Sequence, residues 1–237
     1  MAENLRVPPD LHEGMISHVA PVPAGQSDTE VTNLMGAIAH ARESAQSLAA
    51  LQRTTKADRT LSPESAALRV RAQALRNAER IAARLDAARA QARAALDMYD
   101  SATSSPPAPR DAVALGLEAE IRASLKGMVK ESDRKKAIAD AFNAKDERIL
   151  GAILRGPAFL SGLSDIEHAS YRHRYQHEFH REATIIANRR RKALEAFDRA
   201  GGSFMRFAKQ LTDDPLALRA EGAQADREAA EAALSGE

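Results

Sequence analysis

Cysteine and tryptophan are both missing from the 237 residues of this chain. Without cysteine there is no disulfide framework and no thiolate chemistry, and a reducing compartment is the expected setting. Aromatic residues reach only 4%, so the core cannot be built around large rings. No apolar run approaches the ~20 residues that span a bilayer, so no membrane span is expected. The first residues hold Glu3 and Pro8-Pro9-Asp10 in place of an apolar signal-peptide core. Also missing are a G-x-S-x-G nucleophile elbow, a phosphate-cradling glycine-rich loop and paired βαβ units. Asp and Glu are plentiful, each at a position that a helix turns to solvent. The expectation is a non-enzyme with no catalytic residue and no cofactor.

What is abundant is alanine, about a fifth of the residues. Alanine-rich, charged, Trp-free composition favours long helices packed closely through small side chains. Each alanine contributes little apolar area, so partner helices, from this chain or from other subunits, are expected to supply the rest. The expected fold class is all-α.

Residues 1–26 carry Pro8, Pro9, Pro21, Pro23, Gly14 and Gly25 and read as an extended arm, with Leu5, Val7, Leu11 and Ile16 available to lie along a neighbour's surface. Ser27-Asp28-Thr29-Glu30 has the pattern of a capping box. After it, Val31, Leu34, Ile38, Ala41, Ala45 and Leu48 recur at 3-4-3-4-3, a heptad seam. Ser62-Pro63 starts a second helix as N-cap and first-turn proline. Leu68, Leu75, Ile81, Leu85, Ala88, Ala92 and Leu96 form its apolar face. Residues 27–100 thus read as a long antiparallel, coiled-coil-like helical hairpin. Residues 101–110, rich in Ser and Pro, read as a linker and domain boundary.

Residues 111–212 are expected to form a second helical domain. Short helices lead through Gly156-Pro157 and an apolar turn, Phe159 to Leu163, into one long helix over 164–200. That helix opens on the capping box Ser164-Asp165-Ile166-Glu167 and stops at Gly201-Gly202. Uninterrupted, it would be about 52 Å long. Residues 213–237, with two basic against seven acidic residues, read as a weakly helical acidic tail.

The net charge is only +1, but the charge is segregated. The long helix holds four of the seven histidines and the densest basic run. Its Arg172, Arg174, Tyr175, Arg181, Arg189, Arg190, Arg191 and Lys192 suit an acidic partner surface or a nucleic-acid backbone, with tyrosine available for base stacking. Arg69, Arg76, Arg80 and Arg84 form a second basic stripe on one helix face. His173, His177 and His180, spaced four and three, share a face and offer a metal site. The run His177-Glu178-Phe179-His180 is one residue short of H-E-x-x-H, so no zincin protease is expected. For each of these sets the plainer reading is a solvated or partner-facing surface.

The stretch from Ile149-Leu150-Gly151-Ala152-Ile153-Leu154-Arg155-Gly156-Pro157 through Ala158-Phe159-Leu160-Ser161-Gly162-Leu163-Ser164-Asp165 resembles a helix–turn–helix-capping segment of uncharacterised helical proteins from tailed bacteriophages and prophages. The resemblance implies a virion or assembly component, internal, neck or scaffolding-like, assembled in the host bacterial cytoplasm. A non-viral chain of this composition would be cytoplasmic. Expected partners are further copies of the chain and other structural proteins of a large assembly, with nucleic-acid contact as the alternative and a metal-binding regulator as a third reading.

Overall fold

The computed structural model describes residues 5–235; residues 1–4 of the expected arm and 236–237 of the expected tail lie outside them. The fold is all-α. Nine α-helices, a 3-10 turn and no strand occur among the described residues. They fall into two compact units. The first takes the chain up to Ala94 and again from Arg189 onward, and the second is Ala95–Asn188. The units therefore part inside two helices, and the Ser/Pro segment 101–110 lies wholly within the second.

The first unit begins with the arm, which contains a short helix, α1 (Gly14–Val19). Leu11, Ile16 and Ala20 are buried in the unit's own core, and Leu5, Val7, Val19 and Val22 pack against it. The arm is thus tied to its own chain. Arg42 pairs with Glu13 at 3.2 Å, and the Ser203 hydroxyl donates to the Asp10 carboxylate. Helix α2 (Thr29–Ala57) is capped by Asp28, which accepts from the Val31 N–H; Asp28, rather than the expected Ser27, is the cap. All six seam residues, Val31 to Leu48, are buried.

Helix α3 (Pro63–Thr103) starts where expected, with Ser62 Oγ accepting from the Ser65 N–H at 3.1 Å. Its buried stripe is Ala66, Val70, Ala74, Asn77, Ile81, Leu85, Ala88 and Ala92. Leu75, expected in that stripe, is 38% exposed. With Leu68 it lines a groove completed by Glu221, Gln224 and Ala225 of the last helix.

The core is completed by Ala193, Ala196, Phe197, Ala200, Phe204, Phe207, Ala208 and Leu211, all on α8 (Arg181–Thr212). Gly201-Gly202 does not end this helix. Gly201 is buried, and a Cβ there would sit 3.4 Å from Leu85 Cδ1. That is ordinary van der Waals distance, and the helix runs through the pair at a cost in propensity of about 1 kcal/mol per glycine that neighbouring phenylalanines offset. The tail forms α9 (Pro215–Ser235). Its residues 218–234 are exposed or half-buried, and it is held where Arg71 meets Glu221 at 3.1 Å and the Thr212 carbonyl at 2.8 Å.

The second unit gathers short helices around α6 (Glu147–Arg155). Five successive residues of α6, Leu150 to Leu154, are buried, so it has almost no solvent face. Around it lie α4 (Ala112–Gly127), α5 (Glu131–Asn143), the 3-10 turn Ala158–Ser161 and α7 (Asp165–Phe179). Phe142, Tyr171, Tyr175 and Phe179 contribute the rings of the core, with Tyr175 and Phe179 stacked at 4.6 Å between centroids. In the apolar turn, Ala158 and Leu163 are buried, but Phe159 is 64% exposed; it points outward rather than plugging the cluster. Gly162, at φ +70°, makes the left-handed corner that the turn needs.

Ser164 and Glu167 form the expected reciprocal capping box, and hydrogen bonds from the Ser164 backbone and side chain hold the Glu167 carboxyl below its ordinary range. The helix it opens ends early, however. His180 leaves helical geometry at φ −129°, ψ 42°, dividing the expected long helix into α7 and α8. No proline or glycine marks this break. The Thr184 hydroxyl lies 2.8 Å from the carbonyls of both Gln176 and His180, and the Tyr99 hydroxyl lies 2.8 Å from Thr184 Oγ1. With the threonine proton directed to a carbonyl, Tyr99 is the donor, and the freed end of α7 is satisfied by side chains.

Candidate interaction site

The C-terminus of α6 accounts for one of the residues singled out as basic, Arg172. Its last carbonyls have no helical partners, because Gly156-Pro157 cannot continue the ladder. Three side chains from flanking helices take them up. Arg122 Nη1 donates to Ala152 O at 3.1 Å, His168 Nε2 to Ile153 O at 3.0 Å, and Arg172 Nη2 to Leu154 O at 3.0 Å. A carbonyl only accepts, so Nε2 of His168 carries the proton. Burial pushes the His168 imidazole below its ordinary pKa, although the bond to Ile153 favours its charge. Cationic groups at a helix C-terminus are also favoured by the helix dipole.

Beside them lies a buried carboxylate that sequence reasoning placed in solvent. Glu118, 7% exposed, pairs with Arg155 and, at 3.5 Å, with Arg122. Arg155 also donates to the carbonyls of Pro106 and Pro107 at 2.5 and 2.7 Å. The supposed linker is therefore pinned to the second unit. Gly151 makes room for this: a Cβ there would fall 2.2 Å from Arg155 Nη2. The readable signal was the glycine one helical turn before an arginine in an otherwise apolar helix.

The remaining basic run divides between the units and is largely neutralised. Arg174 donates to Glu178 Oε1 at 2.7 Å and lies 4.2 Å from the Phe142 ring centroid. Tyr175 is buried, and burial raises its phenol pKa, so it offers no base-stacking face. Arg190 bonds Asp28 and Glu30, each at 3.0 Å, and Arg189 lies 3.8 Å from the same aspartate. Arg191 is half-buried, while Arg181 and Lys192 are exposed. His173 and His177 stand 6.4 Å apart between ring centroids, and His180 sits edge-on to Tyr175 at 5.4 Å. Among the described residues, no group of three or more His, Asp or Glu is arranged to hold a metal.

Two surfaces stay open. On the second unit, Val113 (83%), Leu115 (53%), Leu117 (43%), Phe159 (64%) and Ile166 (83%) are exposed, and Val129 is fully so. Leu117 also borders a groove of about 240 Å³ with Ile121, Pro106 and Pro109. On the first unit, Arg69, Arg76, Arg80 and Arg84 are all exposed. Comparison of the chain with protein-family models, curated proteins and solved structures returned no match. Among the described residues, no helix is long and apolar enough to cross a membrane.

Proposed function

We propose that this protein is a non-enzymatic structural or assembly subunit that works through helix-mediated protein–protein contacts in an oligomer. A virion component of a tailed bacteriophage, internal, neck or scaffolding-like and assembled in the host cytoplasm, is the setting we favour, on the resemblance of residues 149–165. The observation that carries the reading is the set of exposed apolar side chains on α4 and the 158–166 segment. Apolar surface left open on a compact unit is the raw material of a protein interface. The reading of α2 and α3 as a coiled-coil-like antiparallel hairpin belongs to the same proposal. It is supported by the buried 3-4 seam of α2 and by clefts that set Thr55 near Ala66 and Ser44 near Ile81.

Mass photometry of the full chain tests the proposal. The expected result is a discrete oligomer that dissociates in the Val113→Asp/Leu117→Asp double variant while its helical circular dichroism is retained. A wild-type chain that stays monomeric at micromolar concentration overturns it.

A second reading, nucleic-acid binding, moves from the long helix to Arg69, Arg76, Arg80 and Arg84. These are exposed and, among the described residues, none is in an ion pair, whereas Arg172, Arg174, Arg189 and Arg190 are engaged within the fold. It requires binding that weakens steeply with salt.

A further inference from the structure

Between α2 and α3 the first unit holds a polar cleft of about 260 Å³, lined by His40, Ser44 and Ser47 on one side and Asn77, Arg80 and Arg84 on the other. Its chemistry differs from that of the other basic sites. Among the described residues, Arg84 has no hydrogen-bond or ion-pair partner, and Arg80 has only Asn77, whose Oδ1 accepts from Nη2 at 3.3 Å. That bond orients the Asn77 amide and leaves its NH2 as a donor. Ser44 is 6% exposed, yet among the described residues its Oγ has no hydrogen-bond partner. A buried serine on a helix ordinarily returns its proton to the carbonyl one turn earlier. Here the hydroxyl is orphaned beside two arginines, and an unmade bond of this kind carries a desolvation cost.

We propose that this cleft binds a phosphate group. Arg80 and Arg84 are four residues apart and so adjacent on one face of α3, placing two guanidinium forks on a common target. The Ser47 hydroxyl and the Asn77 amide add uncharged donors from both helices, and rotation about χ1 of Ser44, whose Oγ is closed to solvent, adds a third. Donors converging from two walls suit a tetrahedral oxyanion with three or more acceptor oxygens better than a planar carboxylate with two. The lining also includes one acid, Glu43, which is two-thirds exposed, with its carboxylate 3.4 Å from His40 Nδ1. The volume is below the ~300–1,000 Å³ of drug-sized sites; the cleft admits a small phosphate or the phosphate-bearing end of a larger molecule.

Titration calorimetry of the full chain at fixed ionic strength tests this with three ligands: inorganic phosphate, adenosine monophosphate and an eight-residue oligothymidylate. The expected result is saturable binding in at least one arm, and the arm that binds names the source of the phosphate. That binding weakens by about tenfold or more in Arg80→Ala/Arg84→Ala, weakens severalfold in Ser44→Ala, and is unchanged in Arg93→Ala, which lies on the same helix outside the cleft. Circular dichroism confirms that each variant folds. The proposal is overturned by no saturable binding in any arm, by equal binding of glutarate, by a wild-type response in the Arg80/Arg84 or Ser44 variants, or by equal loss in Arg93→Ala. None of these outcomes depends on whether the chain is oligomeric.

Discussion

Two stretches of this chain carry basic residues at helical spacing, and the fold treats them in opposite ways. Between Arg172 and Lys192, guanidinium groups close a helix end at Leu154, sit on the Phe142 ring, or neutralise the buried Asp28. Between Arg69 and Arg84, Arg71 is engaged with Glu221 and the Thr212 carbonyl, but Arg69, Arg76, Arg80 and Arg84 stand exposed, with no ion pair among the described residues. By charge density the first stretch is the stronger candidate for an anionic partner. By unspent charge it is the second. Net charge along a sequence measures what must be neutralised, and only packing decides whether the chain does so itself.

The comparison breaks most visibly at Asp28. Asp28→Ala removes both the partner of two arginines, 10% and 23% exposed at their side chains, and the cap of α2. The expected loss is about 3–5 kcal/mol, read as a lowered midpoint in urea unfolding. Glu118→Gln in the second unit leaves Arg155 buried without its anion and is expected to cost about 2–3 kcal/mol. Gly151→Ala should mimic it, because the added methyl displaces the same guanidinium. A destabilisation below ~0.5 kcal/mol in both Asp28→Ala and Glu118→Gln would mean that these arginines are not engaged in solution.

An imidazole sharpens the same contrast through pH. His168 is buried with its folded pKa below the ordinary 6.5, chiefly by desolvation. The unfolded chain therefore binds the proton more readily than the folded one, so stability is full above about 6.5 and declines as pH falls from there toward the folded pKa. Urea midpoints compared at pH 7.5 and pH 5.5 should show this slope, and His168→Gln should flatten it. His173→Gln and His177→Gln, at exposed positions, should leave it in place. The smallest effect is expected from Arg80→Ala/Arg84→Ala, within about 0.5 kcal/mol of wild type by the same unfolding assay. Arginines that hold the fold could not be removed so cheaply.

Local rules carried far along this chain. Ser62-Pro63, the Ser164–Glu167 box and the α2 seam all stand where spacing and capping chemistry place them, because each involves residues within a turn or two of one another. What spacing could not supply was the identity of distant partners. The break at His180 depends on Tyr99, which is 85 residues from Thr184. Gly201-Gly202 has the signature of a stop, but Leu85 lies against it and makes it a packing surface. The Pro-rich segment 101–110 looks like a linker until Arg155 reaches its carbonyls. Glu118 shares the i, i+4 spacing to Arg122 of any surface pair, and only the glycine at 151 shows that a second arginine arrives from another helix. The candidate site was half legible for the same reason. Arg80 and Arg84 were readable as a stripe, whereas Ser44 and Asn77 join them only once α2 and α3 are packed.

The hydrogen bond from Ser203 to Asp10 spans 193 residues, which has a consequence for synthesis. At ~5–20 residues per second, roughly 10–40 s separate the translation of its two ends. During that interval α2 has its apolar seam made but lacks Phe197, Phe204 and Phe207, which share its core. The first unit is thus begun early and closed late, while Ala95–Asn188 can be completed in between. A nascent chain stalled before residue 197 should present a finished second unit beside an open first one, a species for chaperones to hold until the last segment of α8 emerges.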